Sequence, residues 1–235
     1  MKTILVALAH PDDEVGCAGT MATHAARGDR VVALFLTRGE MTEALGTSDP
    51  AEVARRRVEQ GREAAAIVGA EARFLDLPDT GVRDTPEAAA RVARVVAEVR
   101  PDAVVTWGEA WIRGMRHPDH QATGRVVRAA VTLARMARAV APAEPHRLPA
   151  PVFTLRDRHS GLPAAAIDVS PGCAAALALG EYYRARIGWP WEGWHEARLR
   201  RFGKQWGVAA AEVLDAWETE PGLWPGLTDA PLVPY

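Results

Sequence analysis

Two short runs carry the residues able to do chemistry in this chain of 235 residues: Ala9-His10-Pro11-Asp12-Asp13-Glu14 near its start, and His117-Pro118-Asp119-His120 in its middle. Together they hold three of the seven histidines and four acidic side chains. Imidazole with carboxylate is the donor set of a borderline divalent cation such as zinc. A catalytic zinc takes three protein ligands and keeps one position for water. His10, one aspartate of the Asp12-Asp13 pair, and one of His117 and His120 supply that number. The aspartate left over is then a general base for water, and the histidine left over can protonate a leaving group or steady an oxyanion. Such a toolkit suits metal-assisted hydrolysis of an amide or ester. Each run also has a plainer reading, in which Asp12, Asp13 and Glu14 complement one helix dipole and Asp119 caps another helix.

The elements that must position these runs alternate between two periodicities. Thr3–Leu8 and Arg30–Thr37 are continuous apolar runs of strand length, suited to a sheet buried on both faces. Ala72–Leu75 and Ala103–Trp107 are shorter strands. Helices are expected over Cys17–Arg27, closed by Gly28; from an Asp49 or Ser48 cap to Val68, stopped by Gly69; and from a Thr85 cap with Pro86 in the first turn to Val99. A further helix runs from Asp119 to about Ala139. This alternation predicts an α/β fold, Rossmann-like and doubly wound, with a mainly parallel sheet flanked by helices. In such sheets ligands bind beyond the carboxyl ends of the strands, where strand order reverses, between the first and fourth strands in the common order. Both runs leave those two strand ends, so they are expected to face one crevice.

Past a proline-bearing break at 140–150, strands are expected at Pro151–Leu155 and Ala164–Val169 and a helix at Pro171–Ile187. The Gly188–Trp194 segment, with three tryptophans, has no expected regular structure. A last helix over Val208–Trp217 precedes a proline-rich tail. The expected organisation is a single domain over 1–235, with a core at 1–139 and a C-terminal extension at 140–235.

A net charge of −2 gives no electrostatic case for nucleic acid or an anionic membrane. Cys17 and Cys173 make neither a disulfide framework nor a Cys-x-x-Cys site, and no run approaches the roughly 18 apolar residues of a membrane span. A cytoplasmic protein is expected. A dinucleotide or P-loop reading fails because the first strand–helix turn carries acids where a pyrophosphate would sit and lacks the glycine spacing. There is no Gly-x-Ser-x-Gly elbow for serine hydrolysis either.

The pairing of Ala-His-Pro-Asp-Asp-Glu after a first strand with a later His-Pro-Asp-His resembles the PIG-L/LmbE-like zinc-dependent N-deacetylases of N-acetylglucosamine conjugates, over roughly residues 1–135. Thr37-Arg38-Gly39-Glu40 and Phe74-Leu75-Asp76-Leu77-Pro78-Asp79-Thr80-Gly81 agree with it. The resemblance implies one zinc ion per chain on His10, Asp13 and His120, with Asp12 as base. It implies His117 as oxyanion stabiliser or acid, and Asp119 as a hydrogen-bond partner tuning a histidine. Asp79 and Arg57, or Arg56 one residue out of phase, would hold sugar hydroxyls. The implied substrate is a small amino-sugar conjugate. A thiol-cofactor conjugate cleaved as an amide, or binding without catalysis, remains an alternative. The tryptophan-rich segment, with His195 beside it, is a candidate for pocket, packing or homo-oligomer contacts. His24, His146 and His159 are expected to be structural or superficial.

Overall fold

The computed structural model describes residues 1–46, 49–109, 117–157, 159–189 and 193–234. Ser48 and Trp191 lie outside them, as does most of the loop before His117. Among the described residues eight strands form one sheet in the order β3-β2-β1-β4-β5-β7-β6-β8. They are β1 (Thr3–Leu8), β2 (Arg30–Phe35), β3 (Glu71–Phe74), β4 (Ala103–Thr106), β5 (Val152–Leu155), β6 (Ala164–Asp168), β7 (Ala211–Ala216) and β8 (Gly222–Trp224). The first five run parallel, and β7 lies antiparallel between β5 and β6. The fold is the mainly parallel, helix-flanked α/β sheet that the alternation predicts.

Seven helices cover the sheet among the described residues: α1 (Ala18–Ala26), α2 (Pro50–Ile67), α3 (Pro86–Val99), α4 (Pro118–Leu133), α5 (Ala137–Val140), α6 (Cys173–Ile187) and α7 (Trp194–Trp206). Along β1, Ile4, Val6 and Leu8 enter one core while Leu5 and Ala7 enter the other. That split is what a continuous apolar strand between two helix layers must show. Asp49 caps α2 by accepting from Ala51 N at 3.0 Å, and Thr85 caps α3 by accepting from Ala88 N at 3.2 Å. The helix expected over Asp119–Ala139 is two helices, α4 and α5, and its cap is His117 rather than Asp119.

The C-terminal third departs from expectation. Val208–Trp217 is not a helix; its Ala211–Ala216 part forms β7, buried on both sides. Gly207, at φ 77°, closes α7 in the left-handed region just before it. Alanine favours a helix in isolation, but pairing with two strands and burial of both faces override that preference. Trp194 lies not in an irregular segment but at the start of α7, and the proline-rich tail contributes β8 to the sheet edge.

Candidate active site at the strand-order reversal

The crevice between β1 and β4 is where the sheet reverses its order, β1 continuing to β2 and β3 on one side and β4 to β5 on the other. Beyond β1 the chain stays tied to its neighbour, because Thr37 donates from both N and Oγ1 to the Ala9 carbonyl at 3.0 Å. Pro11 then turns the backbone. The turn closes on Asp13, whose Oδ2 accepts from Ala9 N at 3.1 Å, His10 N at 2.9 Å and Trp107 Nε1 at 2.8 Å. Trp107, the first residue past β4, also stacks on the His120 ring with centroids 3.8 Å apart. One tryptophan thus ties the two runs together. Its signal in the sequence was its place at the carboxyl end of the fourth strand.

On the other side, α4 begins at the crevice. His117 Nδ1 accepts from Asp119 N at 3.3 Å, so the neutral ring carries its proton on Nε2. Gly124 lets α4 approach β4, since a Cβ there would meet the Trp107 carbonyl oxygen at 2.4 Å. Asp119 is fully buried and accepts from Thr80 N at 2.8 Å and Val82 N at 3.1 Å, which fastens the loop after β3 to the site.

Three imidazoles and four aspartates meet here. The rings of His10 and His117 lie 4.4 Å apart, and each lies 5.4 Å from the ring of His120. His10 Nε2 stands 3.1 Å from Asp79 Oδ1 and 3.2 Å from Asp119 Oδ2, while His120 Nε2 stands 3.2 Å from Asp13 Oδ1. One nitrogen of each of His10, His117 and His120 falls within 4.8 Å of the others, as do ligand atoms of His10, Asp79, His117 and Asp119. Asp13 belongs to neither set but touches two of the histidines, with Oδ1 facing His120 and Oδ2 spent on its three donors.

The electrostatics suit a cation. One ring nitrogen carries at most one proton, yet His10 Nε2 faces two carboxylates. Among the described residues only Arg57 brings a guanidinium or ammonium within ion-pair distance of these four aspartates, and it serves Asp12 alone. Burial pulls His10 down, but hydrogen bonds with Asp119, Asp13 and Asp79 override it and push it up to about 12. Burial pushes Asp13 up, and the neighbouring His120 and His10 more than reverse this, holding it well below the usual carboxylate range. A nest of buried negative charge that grips any positive charge this firmly fits a divalent metal.

Asp12 stands apart from these contacts. Its backbone sits at φ 127°, where a side chain is costly, and its carboxylate takes a hydrogen bond from Arg57 Nη2 at 2.7 Å. Burial raises Asp12 to about 6 against the pull of Arg57, with Asp13 adding to the rise. Glu14 holds the strained corner by accepting from Asp12 N at 2.8 Å and from the Tyr183 hydroxyl at 2.6 Å. Burial pushes Glu14 up to about 8 despite the tyrosine. Tyr183, on α6, has no counterpart among the sequence candidates.

The two residues expected to hold sugar hydroxyls both lie at the crevice, with their polar groups already engaged by the protein. Arg57, not Arg56, points to the site, but it is buried and its guanidinium is engaged by Asp12, the Pro11 carbonyl and Gln60. Arg56 donates to the Leu45 carbonyl instead. Asp79 has Oδ1 on His10 and Oδ2 on Met41 N at 2.9 Å, so both oxygens are engaged. His24 and His146 are buried and structural, holding Asp29 and the Pro101 carbonyl respectively.

An α/β protein with a buried histidine–aspartate nest at its strand-order reversal is thereby defined. The model of the PIG-L family, described as GlcNAc-PI de-N-acetylase, matches residues 5–131, and the chain belongs to that family. A curated relative from Kineococcus radiotolerans, "1D-myo-inositol 2-acetamido-2-deoxy-alpha-D-glucopyranoside deacetylase", is 38% identical over 51% of this chain and 42% of its own length. "Diacetylchitobiose deacetylase" of Thermococcus kodakarensis is 33% identical over 53% of this chain and 47% of its own. The chain thus spans about half the length of these curated relatives. The crystal structure of the conserved protein TT1542 from Thermus thermophilus superposes with a TM-score of 0.79 at 33% identity, covering 95% of this chain and 97% of that one.

Proposed function

We propose that the chain is a metal-dependent hydrolase that removes the N-acetyl group from a small molecule containing N-acetylglucosamine. The observation that carries this reading is the separation of two kinds of carboxylate in one crevice. Asp13 is clamped between His10 and His120, whereas Asp12, one residue earlier, is turned onto Arg57 and raised to about 6 by burial. Binding alone needs the first kind; hydrolysis needs both. The names of the relatives, deacetylases of acetamido sugars, agree with it.

His10, Asp13 and His120 would hold the metal, for which zinc suits the donor set. When bound, such an ion polarises an amide carbonyl and makes water acidic enough to attack at neutral pH. The chain's own residues do the rest. Asp12 takes the proton of the attacking water, and its upward shift makes it a stronger base than an exposed aspartate. His117 faces the same space with its proton on Nε2, able to donate to the developing oxyanion or to the departing amine. Asp119 fixes His10 and the loop after β3, and Arg57 fixes Asp12.

The test is metal content of the purified protein, with release of free amine from a panel of N-acetylglucosamine conjugates. Zinc near one equivalent with amine released is the expected result. Metal-bound protein that releases no amine from any conjugate removes the proposal.

A further inference from the structure

Beside Asp13, Trp107 and His120 opens a cavity of about 520 Å³ that the proposed chemistry does not use. A volume of this order takes a ring-sized substituent in addition to the reacting group. Its opposite wall is largely α7, the helix that the sequence did not reveal, with Trp194, Phe202 and Trp206 from that helix and Trp189 just before it. Two arginines of the same helix, Arg198 and Arg201, line it as well.

Arg198 is the unusual one. Among the described residues no carboxylate lies within ion-pair distance of it, and its Nε is buried without a hydrogen-bond partner. Its Nη2 makes two long contacts of 3.4 Å, to the Gly16 carbonyl and to His195 Nδ1. Glu212 also lines the cavity, but its oxygens are committed to Gly19 N at 2.9 Å, Thr20 N at 2.8 Å and Thr20 Oγ1 at 2.7 Å. Arg156, by contrast, is paired with Asp215. Burial pulls Arg198 down from the ordinary arginine value, against the attraction of Glu212. A guanidinium in an aromatic-walled cavity, with the Trp194 ring 5.5 Å away and Glu212 attracting it only from beyond ion-pair distance, keeps an unmet Nε and a charge that these contacts compensate only in part. The remainder is offset when an anion enters.

We propose that Arg198, seconded by the exposed Arg201, receives a carboxylate carried on an apolar, ring-sized substituent of the substrate. The cavity then selects amino-sugar conjugates with an anionic aglycone over neutral ones. One half-buried guanidinium matches one negative charge in a planar fork, which favours a carboxylate over a doubly charged phosphate. The aromatic wall supplies the apolar contact, and the adjoining Asp13 and His120 place the reacting amide at the other end. The substrate part of this inference rests on the deacetylase reading; the anion site itself does not.

The test uses the zinc-loaded protein and a matched pair of probes, 3-phenylpropionate and 3-phenylpropanol, with binding read from quenching of the cavity tryptophans. The acid is expected to bind about tenfold more tightly than the alcohol. The preference is expected to vanish in Arg198→Met, whose melting temperature stays at or above that of the parent because an unpaired charge has gone. Equal binding of the two probes overturns the proposal. So does a preference that survives in Arg198→Met and in the Arg198→Met/Arg201→Met double variant, or a lower melting temperature with binding unchanged. Amine release from 4-carboxyphenyl and phenyl N-acetylglucosaminides then separates the two readings. Acid preference without amine release sinks the deacetylase and leaves the anion site, whereas amine release without acid preference sinks the anion site alone.

Discussion

Arg57 reaches from the middle of α2 to donate to Asp12 Oδ2 at 2.7 Å, across forty-five residues of chain, and only 1% of its surface is exposed. The same guanidinium donates to the Pro11 carbonyl and to Gln60 Oε1, the latter at 2.9 Å. Its partners fix it on both sides of the turn that puts Asp12 at φ 127°. A residue so enclosed, with its Nη1 and Nη2 on the protein and only its buried Nε uncommitted, is better placed to hold Asp12 than to meet a sugar hydroxyl.

Arg57→Met should therefore lower kcat on the order of a hundredfold, the cost of a displaced reacting group, with metal content unchanged and KM little altered. Arg57→Lys should recover part of the loss, since an ammonium still faces Asp12 but cannot fork to Pro11. Steady-state kinetics with metal analysis on the same samples decides it. A rise in KM at constant kcat would return Arg57 to the substrate-binding role implied by the family resemblance.

The donor set is open to a similar test. Asp13 and Asp79 each sit near His10, but Asp13 also faces His120 through an oxygen that no backbone group claims, whereas Asp79 is shared with Met41 N. Asp13→Ala should lose most of the bound zinc, and Asp79→Asn should keep it, as measured by metal analysis after dialysis against buffer without chelator. The reverse pattern would move the metal to the set formed by His10, Asp79, His117 and Asp119.

How far the site was legible depended on whether a residue acts locally or at a distance. The order of the first five strands follows from strand–helix alternation, and it places His10 and His120 at one crevice without further information. Caps at Asp49 and Thr85 and the stop at Gly69 are local chemistry, and the structure holds all three in those roles. Tyr183 was hidden because its bond to Glu14 spans 169 residues, and nothing near it in the chain marks it. β7 was hidden for a related reason: an alanine-rich segment reads as a helix until β5 and β6 claim its backbone. The loss mattered, because α7 and β7 between them build the cavity beside His120.

Histidine titration away from the site gives a stability prediction. His24 is fully buried in α1, with Nε2 accepting from Leu227 N at 3.0 Å, so the ring must be neutral at that nitrogen. Burial lowers His24 from its ordinary value of 6.5, and the hydrogen bond with Asp29 only partly opposes this. A folded-state value below the unfolded one means that the unfolded chain binds the proton more tightly. The contribution is complete above 6.5 and is lost as pH falls through the lowered folded value. Melting temperature should drop as pH is taken from 6.5 down to the lowered folded value. The drop should be shallower in His24→Gln, whose amide oxygen can still accept from Leu227 without titrating. Superimposable curves for parent and variant would show that His24 is not the group responsible.

The approach of α4 to β4 can be tested at Gly124, where it leaves no room for a Cβ. Gly124 is helical and free of backbone strain, so an alanine there is not penalised by its φ; helix propensity alone would favour it. The obstacle is the Trp107 carbonyl oxygen, 2.4 Å from where the new Cβ would lie, and a backbone oxygen at the end of a buried strand has little freedom to yield. Overpacking of this kind costs about 1–3 kcal/mol. The strain falls between Trp107, which holds Asp13 and stacks on His120, and the helix that begins at His117. Gly124→Ala should thus lower stability to denaturant and weaken zinc retention together. A remote helix substitution of equal destabilisation, such as Ala93→Gly in α3, should lower stability and leave zinc in place. If Gly124→Ala proves as stable as the parent, the close contact between α4 and the end of β4 is not what sets the separation of His10 and His120.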